Sequence, residues 1–162
     1  MKTRIFAVVA CVLLAAAVYA QKVTTDSNPS APFGSYGRFA WADGTPAPNP
    51  VVEQRVHAMV NAELAWRGLT ESNTPDLYVA THVVTQQHPQ LIVNGFGGGP
   101  GTAAAVETYA IGTLVVDLYD AHTRQIVWRG VAADSVSDRP EKNAQRISKA
   151  LQKMFAKYPP GV

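Results

Sequence analysis

The residues best suited to chemistry lie together in one nineteen-residue stretch, GTLVVDLYDAHTRQIVWRG, at residues 112–130. It carries two carboxylates, Asp117 and Asp120, followed by His122 and Arg129. A carboxylate tuned by a neighbouring guanidinium can act as a general acid or base, so Asp117 beside Arg129 would support hydrolysis. No second catalytic group stands at a fixed spacing from Asp117, and many ion pairs that perturb a carboxylate are purely structural. We therefore interpret the pair as a cross-strand ion pair and keep hydrolysis through Asp117 as the less favoured hypothesis.

The same stretch is predicted to form a β-hairpin. The runs TLVVDLYD and QIVWRGVA are rich in β-branched and aromatic residues, and the short segment 121–124 joins them. Asp120 precedes that segment, where an aspartate can accept a hydrogen bond from the backbone two residues further on. A four-residue loop would bring Asp117 and Arg129 close together across the ladder. Within this hairpin we expect Asp120 to shape the turn and Trp128 to anchor the packing.

The histidines are the remaining candidates for metal ligands. They are His57, His82, His88 and His122. Neither HxxxH nor HExxH occurs, so their spacing places no two of them on one helical face. The sequence therefore predicts scattered histidines, no metal site and no cofactor.

A glycine-rich segment, NGFGGGPGTAAA at residues 94–105, is predicted to be a mobile loop between two strands. Its glycines follow neither GxxxxGK[ST] nor GxGxxG, so the pattern does not indicate phosphate binding. The loop is either a flexible hairpin tip or a contact loop for a partner, and the sequence does not separate the two. The candidate interaction residues are Gly95, Phe96, Gly97, Gly98 and Gly99.

The first twenty residues are organised like an export signal. Lys2 and Arg4 precede an uninterrupted apolar run, and Ala20 completes a cleavage-site pattern. The run is shorter than the roughly 20 residues that a membrane-spanning helix needs. We expect a signal peptide over residues 1–20, a single envelope domain over residues 21–162 and a periplasmic location.

Cys11 leaves a second possibility open, because VVAC loosely resembles the box before a lipid-modified cysteine. Lipidation at Cys11, or a retained signal, would attach the protein to a membrane. The apolar run continues past Cys11, which favours cleavage after Ala20. Cleavage there would remove the only cysteine and with it disulfide and thiolate chemistry. The chain has 14 Lys and Arg against 12 Asp and Glu, and without Lys2 and Arg4 both counts are 12, so no nucleic-acid-binding surface is indicated.

Two amphipathic helices and several strands are expected to position these residues. Asn49 and Pro50 suit a helix start, and apolar residues every four positions predict a helix from about Pro50 to Arg67. A second helix is predicted from about Pro140 to Tyr158. The strand-like runs lie before and between these helices. The sequence thus predicts a single α+β domain, with an antiparallel or mixed sheet of about four to five strands and two helices packed on one face.

Several segments together resemble one bacterial family. They are VTTDSNPSAPFGSYGRFAWADG, PDLYV, the glycine-rich spacer, the stretch at residues 112–130 and a final helix closing on KYPP. From about Val23 to Pro160 the chain is similar to the lipoprotein family called domain of unknown function 4136. The resemblance implies a small envelope domain without an established enzymatic activity, often attached to a membrane by lipid. This chain departs from the family in the box before Cys11 and in a spacer without multiple Trp and Tyr residues.

The expected function is that of a non-catalytic module of the cell envelope that binds another protein or a cell-wall or lipid component. The alternative is a protein that binds a small apolar ligand between the sheet and the loop at residues 95–101. A deep apolar pocket beneath that loop would favour the ligand hypothesis. A histidine or second acid beside Asp117 in a cleft would favour hydrolysis.

Overall fold

The computed structural model describes residues 21–94 and 103–160. The expected signal peptide, the lipidation alternative at Cys11 and the candidate interaction residues Gly95–Gly99 lie outside the described residues.

Within these described residues, six strands form one mixed sheet in the order β1-β6-β5-β4-β2-β3. The strands are β1 Lys22–Ser27, β2 Arg38–Trp41, β3 Thr70–Glu71, β4 Leu77–Asn94, β5 Ala103–Asp120 and β6 Ile126–Ser135. β2 runs parallel to β3 and β4, and the other neighbours are antiparallel. The expectation of four to five strands was wrong by one strand, because β3 has only two residues and leaves no periodic pattern in the sequence.

The β4–β5 hairpin is longer than the sequence indicated. The two strands pair along their whole length, from Leu77↔Asp120 to Asn94↔Ala103. The predicted loop at residues 94–105 was therefore too wide, since Asn94 and residues 103–105 belong to strands. Pro89 is compatible with this position. The backbone N–H of Val83 points away from β5, because it donates to the Thr45 carbonyl. Pro89 lies an even number of residues further along the strand, so its nitrogen faces the same side. The missing N–H of Pro89 therefore removes no hydrogen bond to β5.

Both helices cover one face of the sheet. The helices are α1 Pro50–Trp66 and α2 Pro140–Phe155. Asn49 caps α1 by accepting a hydrogen bond from Val51 N at 2.8 Å, and Gly68 follows its end with φ of 81°. The core lies between helices and sheet. Its largest members are Trp128, Phe155, Leu64, Leu77, Leu118, Leu151 and Met154.

The second helix ends at Phe155, three residues before the predicted end. Beyond it the chain turns so that Tyr158 is buried against Trp128 and Phe155. Arg67 fixes this turn, because its Nε donates to Phe155 O at 2.9 Å and to Tyr158 O at 3.1 Å. A cation at the carbonyl end of a helix is favourable. The turn thus results from contacts between distant parts of the chain, which the local sequence does not display.

Asp76 joins the starts of β2 and β4, and we expect it to make the fold sensitive to acid. Its carboxylate pairs with the Arg38 guanidinium at 2.8 Å and accepts the backbone N–H groups of Gly37 and Arg38. The Arg38 side chain, followed by the Gly37 N–H, lowers the pKa of Asp76 to about 2. The unfolded value is about 3.9, so this contribution to stability is present above about pH 4 and is lost as the pH falls towards 2.

The Asp76→Asn variant is therefore expected to lose less stability than the wild type between about pH 4 and pH 2. Urea midpoints measured at several pH values across this range would test it. Asp43→Asn, at an exposed position, is the matched charge control. A wild-type slope that persists in Asp76→Asn would contradict the assignment.

Candidate functional site

The Asp117–Arg129 pair lies on the sheet face away from the helices. Asp117 pairs with Arg129 in the β5–β6 ladder, and the contact is bidentate, with Arg129 Nε 2.6 Å from Oδ1 and Nη2 2.7 Å from Oδ2. The Asp117 side chain has no exposed surface, whereas that of Arg129 is 46% exposed. The guanidinium therefore covers the carboxylate.

His82 stands on the other side of Asp117. Its Nε2 lies 3.6 Å from Asp117 Oδ2, and its Nδ1 lies 2.9 Å from Thr45 Oγ1 and 3.1 Å from Thr45 N. The Asp117 carboxylate also affects Tyr119, whose pKa is raised by burial and raised further by the charge of Asp117. The sequence did not indicate that His82 would approach Asp117, because the contact depends on the register in which β4 and β5 pair. A histidine is thus present beside Asp117, but Arg129 already occupies both carboxylate oxygens.

Asp120 lies in the turn between β5 and β6. Its Oδ1 accepts the backbone N–H groups of His122 and Thr123 at 2.9 and 2.8 Å, and its Oδ2 accepts the Tyr36 hydroxyl at 2.8 Å. The hydrogen bond from Thr123 N lowers the pKa of Asp120. Burial raises the pKa of the Tyr36 hydroxyl, and the hydrogen bond to Asp120 raises this pKa further. Asp120 thus ties the hairpin turn to the chain before β2.

The remaining histidines each have different neighbours. His57 stacks on Trp41 and contacts Glu53 at 2.9 Å, and His88 stacks on Tyr109. Within residues 21–94 and 103–160, no three His, Cys, Asp or Glu side chains stand close enough together to hold a metal ion.

A groove of about 360 Å³ lies on the helix side of the sheet, where the N-terminal halves of the two helices leave the sheet uncovered. Its floor is formed by Val83, Thr85, Gly112, Leu114 and Ala132. Its walls include Val51, Val52 and Val56 of α1 and Ala144, Ile147 and Ala150 of α2. A Cβ at Gly112 would meet Val136 Cγ2 at 3.1 Å, so the backbone of β5 and Val136 approach each other closely at the edge of this floor.

Four charged side chains also line the groove. Arg146 and Asp134 lie 3.9 Å apart, and Arg146 also donates to the Ser135 carbonyl. Arg55 of α1 is half-buried, and Asp138 is exposed at the rim. Neither forms an ion pair or a side-chain hydrogen bond with another described residue. The groove is therefore an apolar space whose wall holds a half-buried guanidinium without a partner among the described residues.

The groove was not located from the sequence. The apolar-ligand hypothesis expected a pocket beneath the glycine-rich loop. The groove instead lies at the base of the β4–β5 hairpin. From Thr85 to Asn94, where β4 ends, the strand extends about 30 Å at its usual rise per residue. The only sequence signal was Gly112, since a glycine inside a strand can mark a close approach or a space.

Fold and groove together define a small α+β domain in which two helices cover one sheet face and leave a groove near their N-termini. The family described as domain of unknown function (DUF4136) matches residues 23–160, and this chain belongs to it. The resemblance found in the sequence is thereby confirmed. A comparison with curated proteins found no significant match.

Solved structures from bacteria share the fold. A PDZ domain protein from Parabacteroides distasonis superimposes with a TM-score of 0.59 at 17% identity, over 88% of this chain and 37% of that one. This chain thus spans little more than a third of that protein. The PelC dodecamer from Paraburkholderia phytofirmans superimposes with a TM-score of 0.51 at 12% identity, over 83% of this chain and 97% of that one. At these identities the likeness shows the fold alone.

Proposed function

We propose that this protein is a non-catalytic binding domain of the bacterial cell envelope and that it holds an apolar molecule in the groove between its helices and sheet. The groove is the observation that carries the proposal. Two features support the envelope location. Residues 1–20 are organised like an export signal, and the family resemblance implies a small envelope domain. In the part of the chain that the structure describes, no helix has the length and apolar character needed to span a membrane.

The dimensions and lining of the groove fit a small apolar ligand. Its volume of about 360 Å³ falls within the roughly 300–1,000 Å³ of small-molecule sites. Aliphatic side chains from both helices and three strands face it, and burial of apolar surface contributes about 25 cal/mol per Å². The hydrolytic alternative is less favoured, because the Asp117 carboxylate has no exposed surface and lies under Arg129 on the opposite face of the sheet.

Filling the groove is expected to abolish this binding. Ala144 lies half-buried in the α2 wall, so Ala144→Phe places a ring in the groove. We expect the Kd of the neutral apolar dye N-phenyl-1-naphthylamine to rise by about tenfold or more, measured by fluorescence titration. Gln145→Phe is the matched control, since it adds the same ring at an exposed neighbouring position outside the groove. Absence of dye binding to the wild type, or equal binding by both variants, would contradict the proposal.

A second candidate, binding of another envelope component, is favoured by the β4–β5 hairpin. β6 pairs with β5 only from Ile111 onwards, so residues 87–94 and 103–110 form a ribbon of two strands. Such ribbons are marginally stable alone, and a partner would stabilise this one. Val106 on it is 68% exposed. PelC, similar in fold, forms a dodecamer, which makes a second copy one possible partner.

Purification of native complexes from envelope fractions would test the partner hypothesis. We expect recovery of a complex that dissociates when Val106 is replaced by aspartate, with Val106→Thr as the size-matched control. Recovery of the protein alone at every detergent and salt condition would count against it.

A further inference from the structure

We propose that the ligand of the groove is a fatty acid, which is a single-chain amphiphile with an anionic headgroup, and that Arg55 binds its carboxylate. This inference rests on the proposed function, because it requires that the groove holds an apolar chain. It adds the chemical class of the ligand and the residue that recognises it.

Among the described charged residues that line the groove, Arg55 is half-buried and has no ion-pair partner. Arg146 is occupied by Asp134 and by the Ser135 carbonyl. Asp134 in turn accepts Ser135 N at 2.7 Å and Gln21 Nε2 at 3.3 Å. Asp138, which also lines the groove, is exposed and can be solvated by water. A half-buried guanidinium has lost part of its hydration, so an anion that reaches it gains more than one that binds a fully solvated cation.

The nearest acid on the same helix does not neutralise Arg55. Glu53 accepts the Ala47 backbone N–H at 2.6 Å through Oε2 and contacts His57 Nε2 at 2.9 Å through Oε1. Arg55 therefore remains available to a ligand.

The position of Arg55 specifies an amphiphile. It lies between Val52 and Val56 along α1, and all three line the groove. A ligand that places an alkyl chain on the floor near Gly112 and Ala132 can thus present its head to the guanidinium. The planar guanidinium matches a carboxylate in a bidentate geometry, so a fatty acid satisfies both the apolar floor and the charge.

Displacement of bound N-phenyl-1-naphthylamine by three twelve-carbon amphiphiles tests the inference. The probes are dodecanoate, dodecanol and dodecyltrimethylammonium. We expect the wild type to bind dodecanoate about tenfold more tightly than dodecanol and the cation to bind most weakly. Arg55→Gln is expected to remove this preference and Arg55→Lys to keep part of it, with the dye Kd of each variant measured first so that the three amphiphiles are compared within one protein. Lys142→Gln, at an exposed position of α2, controls for net charge.

The outcomes separate this inference from the proposed function. No binding of the dye to the wild type would overturn both. Dye binding with equal affinity for the three amphiphiles, or an Arg55→Gln variant that keeps the preference, would overturn the fatty-acid assignment alone. Co-sedimentation with phosphatidylglycerol vesicles through Arg55, without displacement of the dye by dodecanoate, would assign Arg55 to a membrane surface and overturn it as well.

Discussion

Replacing Arg129 by methionine is expected to lower the free energy of unfolding by about 3 kcal/mol. Methionine retains an apolar cover over Asp117 but removes the two hydrogen bonds of 2.6 and 2.7 Å. It leaves a carboxylate without exposed surface and without its cation, which is among the costliest single changes in a folded protein. Urea unfolding followed by circular dichroism would measure the loss.

A double-mutant cycle shows whether the pair acts as a unit. Asp117→Asn removes the buried charge, so Arg129→Met should cost much less in that background, with a coupling of about 1–3 kcal/mol. Asp117→Asn alone should cost less than Arg129→Met, because the freed guanidinium is 46% exposed and can be hydrated. Additive effects of the two changes would contradict this account of the pair.

The same variants bear on the hydrolytic hypothesis. His82 lies 3.6 Å from Asp117 and 2.9 Å from the Thr45 hydroxyl, which is an arrangement of groups that hydrolases use. In our interpretation Asp117 is a structural ion-pair partner, and Asp117→Asn should change stability without changing hydrolysis of p-nitrophenyl acetate. A hydrolytic rate that disappears in both Asp117→Asn and His82→Ala, with stability retained, would instead establish catalysis.

The sequence predicted those parts of the fold that local patterns determine. Helix α1 begins at Pro50 as expected, because Asn49 and Pro50 satisfy the first backbone groups and Val56, Val60 and Leu64 form a stripe. The pairing of Asp117 with Arg129 followed from alternation and a short loop. Strand β3 and the end of α2 were not predictable, since their positions depend on β2 and on Arg67, which are distant in sequence.

The groove depends entirely on tertiary structure. Its floor combines Val83, Gly112 and Ala132 from three strands, and its walls come from helices separated by more than seventy residues. No local pattern in the sequence indicates that the N-terminal halves of the two helices border one groove. In the sequence, Arg55 cannot be distinguished from any other charged residue of a helix. It becomes a candidate for binding only because it lies in the groove wall and has no partner among the described residues.

Replacing Trp128 by alanine is expected to lower the free energy of unfolding by about 4 kcal/mol, and replacement by phenylalanine by only about 1 kcal/mol. Trp128 is 1% exposed and packs against Phe155 and Tyr158, with ring centroids 5.1 and 5.6 Å away. Its indole Nε1 is buried and has no hydrogen-bond partner among the described residues. Phenylalanine therefore retains the ring contacts and removes a buried donor whose desolvation is uncompensated. A loss as large for phenylalanine as for alanine would contradict this account of the packing.

Gly130 provides an independent test of the same packing. A Cβ at Gly130 would lie 2.7 Å from Trp128 Cη2 and 2.9 Å from Met154 Sδ, so Gly130→Ala is expected to cost about 2 kcal/mol by overpacking. The Cη2 atom is absent in Trp128→Phe, and the flexible Met154 can move. Gly130→Ala should therefore cost less in the Trp128→Phe background than in the wild type, as measured by urea unfolding of the four proteins. Equal costs in both backgrounds would contradict this prediction. They would mean that Met154, and not the indole of Trp128, leaves no room for a Cβ at residue 130.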